Sequence, residues 1–121
     1  MKRLLLALML LAFCFSTAVF GFFSLKMKNT LENAAAYIEN DNESAALRAL
    51  ESTGEKWKKQ RLVFNIFLDH TTLDTLDSSL PSLSEIFKNG NSEPAFEEIQ
   101  KNIAVLEDIV EEQRISIGNI L

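Results

Sequence analysis

The chain has 121 residues, 12 basic against 17 acidic side chains, a formal net charge of −5 and 47% apolar residues, so its length allows a single domain. One cysteine and one histidine exclude a disulfide framework and a Cys/His zinc site, because each needs several ligands. The averages hide a division: residues 4–25 carry no charge and 18 of those 22 are apolar, whereas residues 26–121 carry 10 basic and 17 acidic side chains. That acidic excess excludes a general nucleic-acid binder, since counterion release at phosphates needs clustered Lys and Arg.

The first element is the run from Leu4 to Leu25, flanked by Lys2-Arg3 and by Lys26 and Lys28. At 1.5 Å per residue it covers about 33 Å, enough to cross a hydrocarbon core of roughly 30 Å. A cleavable signal peptide is the rival reading, with an apolar stretch from Leu4 to Phe15 and small residues at Ser16 and Ala18. Against cleavage, apolar residues continue through Val19, Phe20, Phe22 and Phe23. The α-amino group, Lys2 and Arg3 outweigh Lys26 and Lys28 by one charge, which favours a cytoplasmic N-terminus and an exported remainder. Cys14 follows Phe13, where a lipidation signal wants a small residue, so it reads as apolar filler.

Helical periodicity runs through the rest, and no alternating β-branched run interrupts it. Asn29 with Glu32 resembles a capping box and predicts a helix over about 30–40, stopped by Asn40-Asp41-Asn42. A second helix follows over about 43–69, with Leu47, Leu50, Trp57, Phe64 and Leu68 on one stripe and Gly54 and Arg61 at intervening positions. Thr71 with Asp74 predicts a third helix from about 72 to Lys88, kinked at Pro81 and closed by Asn89-Gly90. Ser92 with Pro94 opens the fourth, striped by Phe96, Ile99, Ile103, Leu106 and Val110. Residues 38–47 echo residues 87–96 at an offset of 49, which carries Leu50 onto Ile99 and Trp57 onto Leu106. The reading is all-α: an N-terminal transmembrane helix followed by two αα-hairpins forming a small four-helix bundle. It places an anchor at 1–28 and an extracytoplasmic helical domain at 29–121.

Three features invite functional readings. Glu55 to Arg61 is a basic island in an acidic domain, and an antiparallel second helix brings Lys56, Trp57, Lys58 and Lys59 back to the height of the anchor. The competing reading turns Trp57 into the core and leaves the lysines on a solvated face. Leu62 to Leu68 is apolar nearly all round, which suits either full cover by the other hairpin or contact of Phe64 and Phe67 with a partner; Ile115, Ile117, Ile120 and Leu121 allow the same pair. His70 and Asp74 would share a face and form a pH-sensitive hinge if the second and third helices were continuous. Otherwise His70 closes the second helix. No nucleophile elbow, P-loop, HExxH or CxxC pattern is present, and no cofactor or metal is implied.

Ser44-Ala45-Ala46-Leu47 after the Asn/Asp turn, Trp57-Lys58-Lys59, Phe67-Leu68-Asp69-His70, Leu73-Asp74 and the closing Gly118-Asn119-Ile120-Leu121 resemble the uncharacterised family DUF4363, small membrane-anchored proteins of clostridia and related Firmicutes. Pro81 departs from the uninterrupted helix the family would have there. The resemblance implies no activity and no catalytic residues, and it hints at a multispan membrane protein as partner. The expectation is a non-enzymatic accessory or protein-interaction module held on the membrane. The alternative is a small-molecule sensor or carrier, recognisable by a cavity between the hairpins that reaches His70, Trp57 or Phe64.

Overall fold

The computed structural model describes residues 1–120, apart from the side chains of Ser116, Ile117 and Ile120. It contains α1 (Lys2–Glu39), α2 (Glu43–Phe67), α3 (His70–Ser79), a 3-10 turn (Leu80–Ser82), α4 (Leu83–Lys88) and α5 (Ser92–Ile120), with no strand among the described residues. α1 packs between α2 and α5, and these two enclose the α3–α4 arm on the opposite side. The result is the four-helix bundle expected from two hairpins.

The expected helix start at Asn29 is absent. α1 runs without a break from the apolar segment into the bundle, and Thr30 donates its hydroxyl to the Lys26 carbonyl at 2.9 Å across the proposed boundary. A cap is needed only where upstream carbonyls are missing. Here the apolar helix already supplies them, and extending a helix is cheaper than nucleating a new one. The buried stripe of α1 is Thr17, Phe20, Ser24, Met27, Leu31, Ala34 and Ala35, so packing begins well inside the apolar run. Thr17 and Ser24 satisfy their hydroxyls on the Phe13 and Phe20 carbonyls, at 2.8 and 2.9 Å.

The offset of 49 reaches into backbone geometry. Asn40 N–H donates to Ala36 and Asp41 N–H to Ile38; Asn89 N–H donates to Glu85 and Gly90 N–H to Phe87. Among the described residues, Asp41 and Gly90 are the two with positive φ, at 58° and 80°. Asn42 and Asn91 then accept the first helical bonds from Ala46 and Ala95, both at 3.0 Å. Asn91, one residue before the expected Ser92, is therefore the cap position of α5. Core positions obey the same register: Ser24, Met27, Leu31 and Ala34 correspond to Leu73, Leu76, Leu80 and Leu83, while Ala46, Leu50, Thr53 and Trp57 correspond to Ala95, Ile99, Asn102 and Leu106, all buried.

The second hairpin differs at Pro81. Lacking an N–H, it converts one turn to 3-10 geometry, and the Ser82 hydroxyl caps the Ser79 carbonyl at 2.8 Å. Gly54 of α2 lies against this turn, 3.7 Å from the Pro81 Cα to where a Cβ would stand. A buried polar cluster ties the kink to α5: Ser79 donates to Glu98 Oε1 at 2.6 Å and accepts from Asn102 Nδ2 at 2.6 Å.

Candidate functional site

The basic island separates by helical face. Trp57 is 1% exposed and belongs to the core, Lys56 is half-buried, and Lys58 and Lys59 face outward. The Trp57 Nε1–H donates to Asp77 Oδ1 at 2.7 Å, giving the buried indole the partner it requires. Arg61, one turn further on, grips the same carboxylate through Nε at 2.8 and 2.9 Å and through a terminal nitrogen at 2.7 Å. The Arg61 hydrogen bond holds the Asp77 carboxyl below the usual carboxylate range, against partial burial and with help from Trp57. Asp77 in turn raises the Arg61 pKa, chiefly through the same hydrogen bond. The sequence contained one clue to this latch, a tryptophan expected in the core and therefore needing an acceptor. Which of the carboxylates supplied it depended on how α3 sits on α2.

The apolar stretch of α2 also divides. Phe64 is fully buried; Val63, Phe67 and Leu68 are half-buried against the core; Leu62 and Ile66 stand out at 71% and 72% exposure. Phe64 contacts Trp57 at 5.0 Å and Phe20 edge-on at 5.1 Å, and Phe67 stacks on Phe20 at 4.7 Å. An aromatic column thus bolts the end of α2 to the apolar run of α1. Trp57 and Phe64 are inside it and offer no surface to a partner.

Helices α2 and α3 are not continuous. α2 ends at Phe67, Leu68 is extended, and His70 opens α3 instead of closing α2. Asp69 takes the cap position in place of the Thr71 expected, two residues further on, and makes no side-chain cap bond. His70 and Asp74 lie one turn apart on α3, both exposed, and no ion pair joins them. Ile115 on α5 is 56% exposed; the side chains of Ile117 and Ile120, and Leu121 altogether, lie outside the described residues.

An open groove of about 540 Å³ runs between the end of α2, α3 and α5, lined by Phe67, Leu68, Thr71, Thr75, Val105 and Asp108 among others. Its lining includes none of His70, Trp57 and Phe64. Among the described residues no group of three or more His, Cys, Asp or Glu side chains is placed to hold a metal ion. α1 is the one helix there long and apolar enough to cross a membrane.

The profile of a domain of unknown function, DUF4363, matches residues 15–120. The chain belongs to this family. The DUF4363 match opens inside the apolar run, two residues before Thr17, where α1 first enters the core. Conventional division of the chain into anchor and domain at the charged residues would cut the family's own unit. No curated protein and no solved structure matches the chain significantly.

Proposed function

We propose that this DUF4363 protein is a non-enzymatic accessory of the membrane, a single-pass protein whose N-terminus lies in the cytoplasm and whose helical bundle is held outside it to engage another membrane protein. The observation that carries the reading is the continuity of α1, in which an uncharged apolar helix becomes the central helix of the bundle without an intervening linker. A flexible tether lets a domain explore its surroundings. A stiff helix of about 57 Å instead holds the bundle at one height and tilt, which suits docking against a partner fixed in the same bilayer. The orientation rests on the one-charge excess at Lys2 and Arg3. The non-enzymatic reading rests on the lack of a nucleophile–base or metal-ligand pattern in the sequence.

The test is made on protein recovered from native membranes. Mass spectrometry finds the uncleaved N-terminus, alkaline carbonate leaves the chain in the membrane, and gentle solubilisation with cross-linking recovers it with a multispan protein. A mature chain beginning at Val19 overturns the anchored reading. Recovery of an uncleaved lone monomer under all cross-linking conditions overturns the accessory role.

A further inference from the structure

Resting on the anchored reading, we propose that Leu62 and Ile66 of α2, Phe22 of α1 and Ile115 of α5 form a lipid-contact collar, so that the α2–α3 end of the bundle sits in the bilayer interface. The argument begins with a shortfall. From Leu4 to Thr17, where α1 becomes buried, is about 20 Å of helix, against a hydrocarbon core of roughly 30 Å. To span, α1 must also commit residues up to about Ser24. Their inner face already carries the rest of the bundle, which therefore enters the bilayer's edge with them.

The collar residues are at the right height. Phe20 stands about 24 Å above Leu4. Phe67 stacks on Phe20, which levels the end of α2 with it. Lys28 meets Glu107 at 3.7 Å on antiparallel α5, so Ile115, as far beyond Glu107 as Phe20 is before Lys28, is level too. Ile66 and Phe22 fall within one helical turn of that plane, and Leu62, five residues before Phe67 on α2, stands about 7.5 Å above it. Leu62, Ile66 and Phe22 are 71%, 72% and 54% exposed, an apolar outlay that water disfavours and acyl chains do not. About 10 Å higher come Lys26, Lys28, Lys58 and Lys59, where the headgroup layer would begin.

Two opposing costs set the depth. Sinking the bundle carries exposed Asp69 and His70, at the turn just below Phe67, towards hydrocarbon. Raising it leaves the apolar helix short, which the bilayer meets only by thinning around it. The balance puts the collar at the boundary between acyl chains and headgroups. A second copy or a partner protein covering the same residues would remove the need for lipid there, and the experiment separates these cases.

Full-length protein is reconstituted in vesicles of phosphatidylcholine and phosphatidylglycerol. Leu62→Cys, Ile66→Cys and Asn89→Cys are each made in a Cys14→Ser background, and the unsubstituted protein, labelled at Cys14, serves as the depth reference. Each thiol carries an environment-sensitive fluorophore, and the emission of buried Trp57 verifies folding. The expected result is a blue shift and loss of intensity to acyl-chain nitroxides at 14, 62 and 66, with no response to aqueous iodide, while 89 responds to iodide alone. Iodide quenching at 62 and 66 with lipid quenching at 14 overturns the collar and leaves the anchor intact. Blue-shifted probes at 62 and 66 that neither agent quenches show protein cover and also overturn it. Iodide quenching at 14 overturns the anchored reading itself.

Discussion

Phe20→Ala separates two roles that one apolar run plays at once. If Phe20 only faced lipid in a span, its truncation would leave the bundle's stability untouched. In the structure it is 1% exposed, stacked on Phe67 and edge-on to Phe64. Losing the ring forfeits a transfer term of about 2 kcal/mol and opens a void of about 100 Å³, worth about 2 kcal/mol more. Because the site is near the end of the bundle, where neighbours can close in, the expected loss is about 3 kcal/mol. That corresponds to roughly 10 to 20 °C in Tm for a domain of this size. Phe22→Ala is the matched control: the same residue type in the same run, 54% exposed, whose outer face touches detergent in either state. Its expected cost is under about 1 kcal/mol. Thermal unfolding in detergent, followed by Trp57 fluorescence and far-UV circular dichroism, reads both. Equal, small shifts for the two variants would refute the assignment of residues from Thr17 onward to the bundle.

Three further outcomes follow from the latch, the kink and the turns. Because Asp77 titrates below its ordinary range in the folded protein, its contribution is present above that range and is lost as pH falls through the lowered pKa. Wild type should therefore lose stability on acidification more steeply than Asp77→Asn, and parallel pH profiles of Tm would contradict the latch. Gly54→Ala places a methyl group 3.7 Å from Pro81 Cα and 3.9 Å from the Leu80 carbonyl, ordinary contact distances. It should stabilise α2 by about 0.5 to 1 kcal/mol in denaturant titration, whereas Gly54→Leu must displace the 3-10 turn and should destabilise by about 1 to 3 kcal/mol. Gly90→Ala, at φ 80°, should cost about 1 to 2 kcal/mol, while Asp41→Gly at the matching turn should be neutral or stabilising; the reverse pattern would break the equivalence of the turns.

Much of the fold was legible because it is written in local chemistry. Asn40-Asp41-Asn42 and Asn89-Gly90-Asn91 stop helices through backbone needs that act within a few residues, and their common offset of 49 announced two hairpins. Pro81 announced a kink for the same reason, since a missing N–H acts where it stands. The misplaced elements were those in which a neighbour decides. Asn29 and Glu32 carry a valid capping pattern that the upstream helix makes redundant. His70 opens α3 because Leu68 is extended, and nothing in the spacing of His70 and Asp74 requires that break.

The candidate site was legible as a list of residues, not as a surface. Lys58, Lys59 and the apolar 62–68 stretch were visible, but a stretch apolar nearly all round does not reveal which side meets the core. Packing on Phe20 buried Phe64 and left Leu62 and Ile66 outside. The sequence by itself determined an uncharged apolar helix, an all-helical acidic remainder and two like hairpin turns, because these follow from composition, periodicity and short-range hydrogen bonding. Only the tertiary structure decided that the apolar helix and the bundle share residues 17–25, and that Trp57, Arg61 and Asp77 form one latch. Both depend on which helix faces meet across long sequence separations, and that is settled by packing the whole core together.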